Sequence, residues 1–129
     1  MKNILITGAF GFVGANLSKA IKTAFNCNLI ALDLKEPENH DYDSFYNWGV
    51  LEKVDWQQVD FIIHLAGKAH DTKNTAGEQT YFDVNVGLTK IIFDYFLKSK
   101  QRHYLKVLSR KTKLNPQVYQ ALFHHLYVQ

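Results

Sequence analysis

Cysteine is almost missing from this chain: Cys27 stands alone among 129 residues, so no internal disulfide forms and a reducing compartment, the cytoplasm, is expected. No apolar run approaches the roughly eighteen residues that a membrane-spanning helix needs, so no membrane partner is expected. Internal repeats, low-complexity segments and linkers are absent. So are carboxylate pairs and Cys/His clusters at metal-ligand spacing, and no metal site is expected. His124 and His125 are adjacent, which on a helix turns them about 100° apart and excludes joint chelation. Acidic residues vanish after Asp94. Residues 95–129 hold 7 Lys or Arg and no acid, whereas residues 1–94 hold 8 against 12 acids. A basic end suits a nucleic-acid or anionic partner, or simply a solvated helix end and loop; the second is the simpler reading, so no nucleic acid is expected.

What is present fits one globular domain. Hydrophobic residues make up 47% and charged residues 21%, enough apolar side chains to bury a core. Lys2 followed by "ILITGAFGFVGA" imitates a secretion signal, but three glycines within seven residues oppose the greasy helix such a signal requires. "KNILIT" (2–7) is a short apolar run rich in β-branched residues and predicts a buried strand. In "FVGANLSKAIKTAF" (12–25), Val13, Leu17, Ile21 and Phe25 recur every four residues, the mark of an amphipathic helix. "CNLIALDL" (27–34) predicts a second strand. The stretch around Pro37, "KEPENHDYD", is turn-rich and irregular.

Downstream, "SFYNWG" (44–49) predicts a strand, "VLEKVDWQQV" (50–59) a short helix and "DFIIHLAG" (60–67) a strand buried on both faces. In the helix expected over 79–100, Phe82, Val86, Ile92, Phe93 and Phe96 keep helical spacing, and lysines gather at its C-terminal end, where the dipole favours them. "HYLKVLS" (103–109) predicts a fifth strand. In the tail, Asn115-Pro116 marks a helix start, with Val118, Leu122 and Leu126 on one face. Strand and helix alternate throughout. The expected fold is therefore α/β, a doubly wound parallel sheet of about five strands over residues 1–108, with a basic, partly helical tail over 109–129.

Gly8, Gly11 and Gly14 fall between the first strand and the first helix, the context in which a glycine pattern carries information. The first permits a tight turn, the next lets backbone N–H groups approach a pyrophosphate, and the third lets helix and strand pack closely. The helix N-terminus then offers unpaired donors and a partial positive charge to phosphates. Asp33 ends the second strand nineteen residues after Gly14, where an acid accepts hydrogen bonds from a ribose diol and repels a 2′-phosphate. NAD is therefore favoured over NADP, with Lys35 partly offsetting the repulsion.

With "TGAFGFVG", Asp33 after "IAL", "HLAG" (64–67) and "YFDVNVGLT" (81–89), the chain resembles the extended short-chain dehydrogenase/reductases, specifically the NAD-dependent epimerase/dehydratase group acting on nucleotide sugars. The resemblance covers residues 1–108 and implies a Rossmann fold with NAD across the strand C-termini. It implies that Gly8, Phe10, Gly11, Phe12 and Val13 line the pyrophosphate, with Gly14 in the same cofactor-binding set, and that Asp33 and Leu34 hold the adenosine ribose. Leu65, Ala66 and Gly67 would pack near the nicotinamide half, Lys68 would donate to a ribose, and Asn85 matches the Asn of the following helix. Two departures stand out: Gly49 and Val50 replace the usual Asp-Leu pair, and "VNVGLT" has its glycine one place early.

The family's Tyr-x-x-x-Lys pair is missing. The four-residue partners of Tyr42, Tyr46, Tyr81, Tyr95, Tyr104 and Tyr119 are Tyr46, Val50, Asn85, Ser99, Leu108 and Phe123, and Tyr127 is too near the end. Ser109 begins what the family writes as a serine run, but Arg110 and Lys111 follow, leaving Thr112 as the nearest hydroxyl. No catalytic residue is therefore assigned. A foreign or frame-shifted ending on a truncated family member is expected from residue 109, together with self-association through the sheet edge left uncovered at strand 5. Three functions follow in order: the NAD-binding part of a nucleotide-sugar epimerase/dehydratase, inactive alone; a non-catalytic NAD-binding or remnant module; and a nucleic-acid or anion binder using the basic end. His64 is expected in the core or facing the cofactor, and the aromatics of "DYDSFYNW" in packing.

Overall fold

The computed structural model describes residues 1–67, 78–99 and 104–107, and of these only the backbone for 78–85 and 104–107. Five parallel strands form one sheet in the order β3-β2-β1-β4-β5: β1 (Lys2–Thr7), β2 (Cys27–Asp33), β3 (Ser44–Asn47), β4 (Phe61–His64) and β5 (Tyr104–Val107). β1 lies at the centre, pairing Thr7 with Leu32 on one side and with His64 on the other. Its alternate residues feed two cores, because successive side chains leave opposite faces of a strand. Ile4 and Ile6 join Leu29 and Ala31 beneath helix α1 (Phe12–Ala24), which contributes Leu17 and Ile21. Leu5 and Ile62 face the other way, into a cluster with Leu51, Val54, Trp56, Val59 and Ile92 of helix α2 (Glu78–Lys98). The expected doubly wound α/β architecture is present, and no helix among the described residues is long and apolar enough to cross a membrane.

Several boundaries move. The buried face of α1 is Gly14, Leu17, Ser18 and Ile21; Val13 and Phe25, assigned to that stripe from spacing, are half-buried at its margins. The short helix expected over 50–59 is instead two 3₁₀ segments, Trp48–Lys53 and Trp56–Gln58. Val50 has φ −131° and ψ 36°, outside helical geometry, and β-branched Val50, Val54 and Val59 disfavour a continuous α-turn. Asn47 accepts from the Gly49 amide at the start of the first segment, and the Trp56 indole donates to the Leu51 carbonyl, which ties the second segment to the first. On α2, Ile92 is buried and Phe96 packs beside it, while Val86, Phe93 and Leu97 form an exposed row about 100° around the helix. Tyr95 stacks on Trp56 at 4.9 Å between ring centres, which fixes α2 against the second core. The tail over 109–129, with Ser109, Thr112, His124 and His125, lies outside the described residues.

Candidate functional site

The C-terminal ends of β1, β2 and β4 meet on one edge of the sheet, and the glycine turn closes over them. Gly8 has φ +64°, a conformation that L side chains rarely adopt, and donates its N–H to Leu32 O at 2.9 Å. A Cβ there would lie 2.8 Å from the Ala66 nitrogen, so only glycine lets the first turn approach the segment after β4. At Gly14 a Cβ would stand 2.4 Å from Ala9 O and 2.6 Å from Gly8 O, which glycine avoids as α1 settles on the turn. Gly11 occupies the N-cap of α1 with no side-chain cap, and the first turn of the helix holds no acid. The first intrahelical bond runs from Ala15 N to Gly11 O, leaving the amides of Phe12, Val13 and Gly14 without an acceptor among the described residues. Uncapped amides and the helix dipole together favour an anion.

Asp33, at the end of β2, is tied to this turn. Its Oδ2 accepts from Phe10 N and its Oδ1 from Leu34 N, both at 2.8 Å. A carboxylate has about four lone-pair sites, so two remain for a ligand's hydroxyl groups. Phe12 and Leu34 flank the opening and are 84% and 74% exposed, two large apolar side chains that no described residue covers.

Behind the turn stands Tyr42, from the β2–β3 connection. Its hydroxyl proton is shared between Gly14 O at 3.0 Å and Ala9 O at 3.1 Å. Burial pushes this phenol well above its usual pKa, so it remains a donor. Phe10 packs edge-on against its ring at 5.5 Å and lies tilted against Phe45 at 5.8 Å. Tyr42→Phe removes the donor from two backbone carbonyls and is expected to lower stability by about 1–2 kcal/mol, read from urea unfolding. Asp43 anchors the same connection, accepting from Leu29 N and from the Lys22 ammonium. Burial raises its pKa, but these donors outweigh it and hold the carboxyl below its ordinary value.

On the other side, His64 is 4% exposed. Its Nδ1 lies 2.6 Å from Thr7 Oγ1 and its Nε2 3.1 Å from Thr89 Oγ1 on α2. Thr7 Oγ1 also accepts from the amides of Leu65 and Ala66, each at 3.1 Å. Burial holds the His64 pKa below its ordinary value of 6.5, which favours the neutral ring. Below pH 6.5 the unfolded chain binds a proton that the native chain refuses until its own lower pKa is reached. Stability is therefore expected to fall with pH across that window, by at most about 1.4 kcal/mol per pH unit, and then to level off. Comparing acid unfolding of the wild type and His64→Asn isolates this contribution from the other five histidines.

Of the positions assigned from sequence, Gly8, Phe10, Gly11, Phe12, Val13, Gly14, Asp33, Leu34, Leu65, Ala66 and Gly67 gather around this edge. Lys68 lies outside the described residues. Asn85 lies on α2, and its side chain is outside them too. Thr7, Tyr42 and Thr89 were not assigned. A threonine closing an otherwise apolar strand was the one visible signal among them.

A family model, "NAD dependent epimerase/dehydratase family", matches residues 4–113. An epimerase family protein of Staphylococcus saprophyticus is 28% identical over 107 residues, covering 79% of this chain and 35% of that protein. Among solved structures, the UDP-N-acetylglucosamine 4-epimerase from Bacillus cereus is 19% identical with TM-score 0.60, covering 84% of this chain and 36% of that one. MoeE5 in complex with UDP-glucuronic acid and NAD is 20% identical with TM-score 0.59, covering 83% and 36%. The chain thus spans about a third of the length of the relatives it matches. With a family match across most of its length, laid over a five-stranded parallel sheet whose first crossover is closed by three glycines, the chain belongs to the NAD-dependent epimerase/dehydratase family.

Proposed function

We propose that this chain is the NAD-binding part of a nucleotide-sugar epimerase/dehydratase-like protein. The observation that carries the reading is the join between the glycine turn and Asp33: a turn packed so closely that a Cβ at Gly8 or Gly14 would strike main chain, locked to a carboxylate with lone pairs to spare. These residues fit a dinucleotide. The amides at the start of α1 would hold its diphosphate, Asp33 its adenosine ribose, and Phe12 and Leu34 would cover the adenosine side. Leu65, Ala66 and Gly67 would pack near the nicotinamide half, Lys68 would donate to a ribose, and Asn85 matches the family's Asn in the helix after β4. Bound NAD supplies an acceptor for hydride from a sugar carbon. The chain's own contribution is to bind and orient the coenzyme, and Asp33 disfavours the 2′-phosphate of NADP.

A nucleotide-sugar substrate is the class supported by the relatives. The 129 residues contain no Tyr-x-x-x-Lys, so the proton shuttle would come from residues beyond them. Calorimetric titration of the purified chain is expected to show NAD binding with NADP weaker, and turnover of UDP-sugars at background. Absence of heat with both coenzymes would refute the reading. Turnover above background would refute only the inactive-alone part. β5 is the last described strand on its side of the sheet, and self-association there would appear as a dimer or larger species in size-exclusion chromatography.

A further inference from the structure

The buried chain Thr89–His64–Thr7 reaches the proposed nicotinamide-side turn through a hydroxyl group whose bonding capacity is full. Thr7 Oγ1 has one proton and two lone pairs. Both lone pairs are taken: the Ala66 amide points at one, and the Leu65 amide, shared with the Thr7 carbonyl at 3.1 Å, points at the other. Only the proton remains for His64 Nδ1, 2.6 Å away, which must then be the acceptor. The ring's own N–H is consequently on Nε2, where Thr89 Oγ1 accepts it at 3.1 Å. Ala66 N is also the atom nearest the missing Cβ of Gly8, at 2.8 Å, so the same amide sets how closely the glycine turn and the β4 turn approach.

We propose that His64 is a positioning residue for the coenzyme: by accepting the Thr7 proton it turns both Thr7 lone pairs onto the Leu65–Ala66 amides and holds that turn at the distance NAD requires. The inference rests on the NAD-binding reading above. It assigns His64 no contact with NAD. Its action runs through Thr7, and α2 joins the arrangement through Thr89.

Two amide variants separate this role from simple filling of space. In His64→Asn, Oδ1 takes the place of Nδ1 and accepts from Thr7. In His64→Gln, the longer side chain restores more volume but carries its acceptor toward Thr89, leaving the Thr7 proton unpartnered. Calorimetric titration with NAD at pH 8 is expected to give His64→Asn an affinity within about twofold of wild type and His64→Gln one about tenfold weaker. Equal affinities, or the reverse order, would overturn the proposal. Two measurements on the apo chain stand independently of NAD. Ala66 amide exchange is expected to accelerate in His64→Gln but not in His64→Asn. The ¹⁵N spectrum of wild-type His64 is expected to show the Nε2–H tautomer, and an Nδ1–H ring would overturn the proposal even if neither variant folds. Should wild type bind no NAD while exchange and tautomer behave as expected, the function reading falls and the Thr7–His64 device stands as a fold element.

Discussion

Gly14→Ala is expected to destabilise the domain by on the order of 3 kcal/mol and to abolish measurable NAD binding. The added methyl would sit 2.4 Å from Ala9 O and 2.6 Å from Gly8 O, against main chain that has no flexible end to move. Relief requires α1 to lift from the turn, which carries the amides of Phe12 and Val13 away from the phosphate position and pulls Gly14 O off the Tyr42 hydroxyl. Gly87→Ala is the control. No described residue lies within 4 Å of a Cβ there, and replacing a mid-helix glycine is expected to stabilise by about 0.5–1 kcal/mol. Urea unfolding of the two variants checks both signs. A Gly14→Ala chain as stable as wild type would mean that helix and turn do not meet as described.

Asp33→Asn is expected to weaken NAD binding at least tenfold and to narrow the preference over NADP, although the two side chains have nearly the same shape. Both carboxylate oxygens accept from backbone amides, Phe10 N on Oδ2 and Leu34 N on Oδ1. An asparagine must turn its NH₂ toward one of them, placing donor against donor, so the glycine turn and the β2 end can no longer share one side chain. The ribose also loses a charged acceptor, and hydrogen bonds to charged groups contribute about 1.5–3 kcal/mol each. Removing the charge at the same time weakens the repulsion of a 2′-phosphate. Paired titrations with NAD and NADP read both effects; unchanged affinity for NAD would remove Asp33 from the site.

The layers of this fold were legible in the chain wherever one short period dominated. β1 matches the run "KNILIT" residue for residue, and α1 follows the fourfold spacing of Leu17 and Ile21. The glycine turn was legible because three residues without side chains between a strand and a helix have few other uses. The segment after Trp48 was not, since Val50, Val54 and Val59 suit a helical pattern while branched side chains favour the non-helical backbone that kinks it at Val50 and ends the two segments at Val54 and Val59. Nor could spacing separate Ile92 and Phe96, turned inward, from Val86 and Phe93, turned outward, because both pairs recur at helical intervals.

The supporting side chains of the site escaped for another reason. Tyr42 reaches carbonyls 28 and 33 residues away, and Thr7 meets His64 across 57 residues. Such pairs exist only once β1, β2 and β4 are aligned in register. Sequence therefore picked out the glycine turn and Asp33, whose backbone demands are local, and left unassigned the Tyr42 and Thr7 contacts that brace them.

The most direct test of the account is a ¹H–¹⁵N correlation spectrum of the chain titrated with NAD. The largest shifts are expected at the amides of Gly11, Phe12, Val13 and Gly14, with smaller ones at Leu34 and Ala66, saturating along one binding curve. A titration that leaves those four amides unmoved, or moves resonances elsewhere on the sheet instead, would contradict binding at the first crossover.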